Sequence, residues 1–166
     1  MHEITWPEKF LPGTTDNFVS NEVIVSGVSF QSVADNLLDA ARWPTYYDNS
    51  SDLHVHSQDD TVLRDHTRFR FRTFGFDVES EVEECSVSDD LIRLSWHGWN
   101  EAAGDPHIDI YHGWIVEKLS DGRIRILTQE SQIGEPSRKM AGQKPNVMLN
   151  GHQDWLDGLV AAARAA

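Results

Sequence analysis

Residues 67–82 constrain the fold of this chain more than any other stretch. With Phe74-Gly75 as a two-residue turn, Arg72 stands opposite Asp77, Arg70 opposite Glu79 and Arg68 opposite Glu81. On the other face Phe71 meets Val78, Phe69 meets Ser80 and Thr67 meets Val82. One register thus sorts two strands into a charged face and a mostly apolar one. Opposite charges directly across a strand pair stabilise it by roughly 0.2–1 kcal/mol each. A slip of one residue would turn the arginines inward, so the register is strongly specified. A sheet begun in this way has a wet back and a dry front, and the front needs a helix to cover it.

The flanking sequence supplies the rest of such a sheet. Residues 18–26 alternate, with Val19, Val23 and Val25 on one side, which predicts a first strand. Ser29 can cap a following helix, because its hydroxyl oxygen can accept free backbone N–H groups of the first turn. Phe30, Val33, Leu37, Leu38 and Ala41 recur at helical spacing. Pro44 disfavours helical geometry at Trp43, so the helix is expected to end there, with a short turn or second small helix at Tyr46 and Tyr47. Further strands are predicted near 53–56, 66–74, 76–85 and 91–98. A second hairpin runs from Ile108 to Gln132 around Ser120-Asp121-Gly122, a three-residue loop with glycine at the left-handed position. Its register pairs Val116 with Ile126, Trp114 with Thr128 and His112 with Glu130, and sets Glu117 opposite Arg125 on the outer face. Pro136 is expected to end the sheet. From Asn146 onward, Met148, His152, Trp155, Leu156, Leu159, Val160 and Ala163 form one stripe of a helix of about five turns. Gly151 and Gly158 weaken that helix by about 1 kcal/mol each, so packing must outweigh them.

Composition narrows the function classes. The 27 acidic against 14 basic side chains give a formal charge of -13. Such a surface repels phosphate backbones and anionic membranes, so no nucleic-acid partner and no membrane insertion are expected. Cys85 is the lone cysteine, so no internal disulfide can form. The neighbouring Glu81, Glu83 and Glu84 discourage its thiolate. The opening residues lack the basic and apolar regions of a signal peptide, and no apolar run approaches the roughly 20 residues of a membrane span. A cytoplasmic location is expected. Residues 1–16 read as an irregular surface segment pinned by Trp6, and residues 17–166 as a single domain.

The element order is strand, short helices, six strands, long helix. The first strand and the Phe30–Leu38 helix run into Trp43-Pro44. A later strand carries Thr128-Gln129-Glu130, and Gly151-His152-Gln153-Asp154-Trp155-Leu156-Asp157-Gly158-Leu159 closes the chain. This pattern resembles the START-like, SRPBCC or Bet v 1-like, superfamily. The closing segment is similar to a Trp-Leu-x-x-Leu stretch of bacterial members described as polyketide cyclase/dehydrase or activator of Hsp90 ATPase-like. The resemblance implies an α+β helix-grip fold: a curved antiparallel sheet of about seven strands wrapped around a long C-terminal helix, with two short helices after the first strand. It also implies a cavity between sheet and helix. None of these motifs is catalytic, and fold alone does not fix activity.

On that frame the inner face carries Phe69, Phe71, Val78, Leu94, Trp96, Ile110, Trp114 and Trp155, the aromatic-rich lining of an apolar pocket or of a filled core. The polar candidates are His112, Thr128, Glu130, Gln132 and His152. His112 and Glu130 are expected cross-strand neighbours, and a buried carboxylate needs such a partner. They can satisfy each other, anchor a ligand hydroxyl or carbonyl, or perform acid–base chemistry together with His152. The histidine spacing shows no His-Glu-x-x-His helix and no close Cys/His cluster, so no metal site and no cofactor are expected. Three readings follow. The first is a module that binds a small hydrophobic or aromatic ligand. The second is a cyclase- or lyase-type enzyme acting on a polyketide-like substrate, with His112, Glu130 and His152 as candidate catalytic residues. The third is an Hsp90-activator-like interaction module.

Overall fold

The computed structural model of the chain describes residues 1–100 and 106–166. Seven strands form one antiparallel sheet: β1 (Asn17–Val25), β2 (Ser51–Val55), β3 (Arg68–Thr73), β4 (Phe76–Val87), β5 (Leu91–Trp99), β6 (Asp109–Lys118) and β7 (Ile124–Ile133). Their spatial order is β1-β7-β6-β5-β4-β3-β2. Three α-helices accompany them: α1 (Phe30–Leu38), α2 (Glu135–Ala141) and α3 (Val147–Ala165). This is the helix-grip arrangement, with α3 lying in the curve of the sheet.

Both hairpin registers are those the sequence specifies. Arg72 faces Asp77, Arg70 faces Glu79 and Arg68 faces Glu81. Val116 faces Ile126, Trp114 faces Thr128 and His112 faces Glu130. The charge matching is looser than the register. Arg72 and Asp77 approach to 3.3 Å, but Glu79 takes His56 at 3.0 Å, and Arg68 lies over the Trp99 ring. Phe74 and Gly75 both adopt positive φ, +49° and +82°. That is the two-residue turn whose twist matches the strands. It is a strained setting for a phenylalanine. The Phe74 amide donates to Asn49 Oδ1 at 2.7 Å, which helps hold the turn.

Helix α1 begins at the Ser29 cap, whose hydroxyl accepts from Ser32 N–H at 2.9 Å. It ends earlier than Pro44 requires. Asp39 turns extended, makes a β-bridge to Val62 and caps a 3-10 helix, Ala40–Thr45, that contains Pro44. This turn sinks Trp43 completely into the core, its indole N–H donating to Leu37 O at 2.9 Å. Pro136 does not merely end the sheet. It sits in the first turn of α2, where its missing N–H costs nothing. Helix α3 starts at Asn146, whose side chain accepts from Met148 and Leu149 N–H. Its 19 residues extend roughly 28 Å. Its buried residues are the seven of the expected stripe. Among the described residues, no helix is long and apolar enough to cross a membrane.

The back of the sheet is not wet where the sequence suggested it. Residues 1–16 form a strap across the outer face of the central strands, so β6 is buried along nearly its whole length. Ile4 and Phe10 join Tyr111, Ile115 and Leu127 in a second apolar cluster, flanked by Trp6. Gly113 leaves the space Ile4 occupies: a Cβ there would lie 2.8 Å from its side chain. The pair Glu117–Arg125, at 3.5 Å, is therefore buried rather than solvated, with His2 donating its backbone N–H to Glu117. Alternation alone could not reveal this cover, because the strap has no periodicity. Phe10 stacks on Tyr111 with ring centres 5.8 Å apart. Phe10→Ala is expected to cost about 2–3 kcal/mol, since the strap can partly close the gap. The check is a lower urea midpoint with an unchanged m-value.

Candidate functional site

The site is built by three elements. His112 on β6 and Glu130 on β7 are direct cross-strand partners on the concave face. Thr128 stands one inward position along from Glu130. His152 comes down from the buried stripe of α3. His112 Nδ1 lies 2.8 Å from Glu130 Oε2, and His152 Nε2 lies 3.5 Å from the same oxygen. The two imidazoles stack, with ring centres 4.6 Å apart. An ionised carboxylate can only accept, so Nδ1 of His112 donates to it, and the Thr128 hydroxyl can donate to Nε2 at 2.7 Å. All three ionisable groups are buried.

Burial acts on these groups in opposite senses. It would raise the Glu130 carboxyl, but the neighbouring His112 and His152 and the hydrogen bonds from His112 and Gln132 outweigh it and hold the group below its usual value. Burial pushes His152 down to about 3; Glu130 opposes the shift and His112 adds to it. His152 is thus neutral at ordinary pH. Among the described residues, its Nδ1 has no hydrogen-bond partner, and neither does the indole N–H of Trp96. Unsatisfied buried polar atoms are uncommon in folded proteins.

The cluster is braced from behind. Gln132 donates to Glu130 Oε1 and accepts from Asn17 Nδ2 at 2.8 Å. Asn17 Oδ1 accepts from Asn146 Nδ2 at 3.0 Å, and Asn146 caps the helix that carries His152. One line of side-chain amides therefore ties the carboxylate on the sheet to the start of α3.

A cavity of about 30 Å³ adjoins the cluster. Phe71, Val78, Trp96, Ile110, His112, Glu130, Gln132, His152 and Trp155 border it. Phe69, Leu94, Trp114 and Thr128 do not. They lie in the packed core. Trp43 and Tyr47 account for much of this filling. Trp43 stacks on Trp96, ring centres 5.7 Å apart, and Tyr47 stacks on Trp155 at 4.6 Å. The cavity has room for one or two waters and is far below the roughly 300 Å³ of a typical ligand pocket. Thr73, Phe74, Phe76, Ile108, Met140 and Met148 complete its border and were not foreseen there. The signal for Phe74 was available: a bulky aromatic in a tight turn is out of place unless it packs on something. It packs on α3, against Gly151 and beside His152. Met140 had no such signal, because α2 was read as the end of the sheet.

Histidine spacing also missed a convergence. His112, Glu130 and His152 each offer a donor atom, and these atoms lie within 4.8 Å of one another. They come from a strand, its neighbour and a distant helix, so no sequence spacing marks them. Among the described residues Cys85 is not part of any such group; burial, then Asp65, pushes its thiol up to about 11.

No protein-family model and no curated protein matches the chain. Among solved structures, a hypothetical protein from Helicobacter pylori is 58% identical, with a TM-score of 0.95 over 99% of this chain and 98% of its own. A START superfamily protein from Mycobacterium smegmatis superposes with a TM-score of 0.54 at 10% identity, covering 89% of this chain and 94% of its own. The human StarD13 lipid transfer and protein localization domain gives 0.56 at 9% identity, covering 86% and 76%. At such low identity the last two establish the fold alone.

Proposed function

This chain belongs to the same family as that Helicobacter pylori protein and has a START-like fold, and we propose that it binds a small, largely apolar or aromatic molecule bearing one polar group, in the cavity under α3. The observation that carries the reading is a fully buried polar cluster on the wall of an otherwise apolar cavity, with His152 Nδ1 and the Trp96 indole N–H unpaired. A ligand hydroxyl can accept from an indole N–H and donate to an imidazole nitrogen. At about 30 Å³ the cavity is too small for such a molecule. Entry requires the border to move, and the border is suited to moving. Phe74 sits on a hairpin tip, and the unbranched side chains of Met140 and Met148 repack easily. Acid–base catalysis draws no support from His152, because an imidazole pushed down to about 3 is a poor base.

The test is a titration of the protein with 2-naphthol, an aromatic probe with a single hydroxyl, read by tryptophan fluorescence. Trp96 and Trp155 border the cavity. Saturable quenching at one equivalent is expected, weakened roughly tenfold or more in Glu130→Gln and His152→Leu, as the loss of a charge-assisted hydrogen bond implies. Phe74→Ala is expected to speed association. Quenching that never saturates, or that is as tight in both cluster variants as in the wild type, would overturn the reading.

A further inference from the structure

We propose that His112, Glu130 and His152 form a site for one divalent transition-metal ion, ligated by His112 Nδ1, His152 Nε2 and Glu130 Oε2. Two independent observations point there. The first is geometric. The carboxylate oxygen stands 2.8 and 3.5 Å from the two imidazole nitrogens. Donors around a tetrahedral ion, each about 2.0–2.1 Å from it, are roughly 3.3 Å apart. Small shifts of two rings would close the shell. The adjoining cavity of about 30 Å³ has room for the water that would complete it.

The second is electrostatic. Glu130 is buried, yet among the described residues no lysine or arginine pairs with it; its ion-pair partners are the two histidines. A buried carboxylate without a fixed cation is costly. A divalent ion supplies the missing charge. The histidine on the sheet adapts by a change of tautomer. With an ion on Nδ1, its ring proton moves to Nε2, and the Thr128 hydroxyl, 2.7 Å away, turns from donor to acceptor. The Gln132–Asn17–Asn146 line then does for this site what outer hydrogen bonds do for others: it fixes the carboxylate and the helix that bears His152.

Two nitrogens and one carboxylate oxygen suit Zn²⁺, Co²⁺ or Fe²⁺ and are poor donors for Mg²⁺ or Ca²⁺. The inference does not rest on the organic-ligand reading, since an ion and its water occupy space that already exists.

The experiment is a titration of the EDTA-treated, full-length protein with Co²⁺ in the absence of any organic ligand. One equivalent is expected to bind, with visible d–d absorption that Zn²⁺ abolishes by competition. Outer hydrogen-bond partners of metal ligands contribute about 10–100-fold in affinity, so loss of a direct ligand in Glu130→Gln or His152→Leu is expected to cost at least ~100-fold. The double variant His54→Ala/His56→Ala, in β2 and just past its end, should bind as the wild type does. X-ray absorption at the cobalt edge of the wild type gives the same answer without any variant: imidazole scattering from two histidines is expected. No absorption band, binding unchanged in the two cluster variants, or a cobalt shell without imidazole would each overturn the proposal.

Discussion

Gly158→Ala is expected to destabilise the protein by about 3 kcal/mol or more, although alanine is the better helix former by about 1 kcal/mol. A Cβ at this position would lie 2.1 Å from the backbone carbonyl oxygen of Tyr46. Neither side can yield cheaply. The Tyr46 hydroxyl donates to Asn36 O at 2.9 Å, and its amide donates to Trp43 O at 3.2 Å. Moving this segment also moves Trp43 and Tyr47, which pack on Trp155. The expected loss corresponds to a fall in Tm of roughly 6–12 °C for a domain of this size. Gly151→Ala is the matched control. Its Cβ would lie 2.3 Å from Cζ of the Phe74 side chain, which can swing aside. A small change in Tm is expected there, with faster entry of the naphthol probe. Equal losses in the two variants would mean that the Tyr46 contact does not hold α3 in place.

Acid is expected to produce the second large effect, and it reports on the site itself. In the unfolded chain His152 titrates near its ordinary value of about 6.5; in the folded protein burial has pushed it down to about 3. Between these values the unfolded state carries one proton more than the folded state. Stability therefore falls with falling pH, by about 1.4 kcal/mol per unit. From pH 6.5 to 4.5 the loss is on the order of 3 kcal/mol. Glu130, held low when folded, adds to the loss only as the pH falls below the ordinary carboxylate range. The same holds for Asp109 and Glu117, whose carboxyls are also held low against the pull of burial. The window above pH 4.5 thus leaves out the carboxylates, and the comparison with His152→Leu separates His152 from the other histidines. Urea denaturation with chelator present should show a slope close to one proton, removed in His152→Leu. A wild-type slope equal to that of the variant would show that His152 is not buried in a neutral form.

The strand registers were legible because each rests on several independent pairs. Arg68, Arg70 and Arg72 against Glu81, Glu79 and Asp77 leave a single solution, and Glu117 opposite Arg125 fixes the second hairpin. The stripe of α3 was legible for the same reason. Gly151 and Gly158 looked like defects in that helix. The structure gives each a cause, a side chain at one and a backbone carbonyl at the other. Features made by distant partners were not legible. The strap over Tyr111 and Ile115 has no repeat, and α2 is too short to show one. At the site, the His112–Glu130 pair followed from the register, whereas the approach of His152 needed the placement of α3. The filling of the pocket by Trp43 and Tyr47 could not be read at all, since where a 3-10 turn drops its rings is decided by packing.

Native mass spectrometry of the protein as purified, before and after incubation with 2-naphthol, tests most directly whether the buried His112–Glu130–His152 cluster is a binding centre. Bound species are expected on the folded wild type, released on acid denaturation and depleted in Glu130→Gln. A wild type that stays at its bare chain mass under both conditions, or a variant that retains the same adducts, would contradict it.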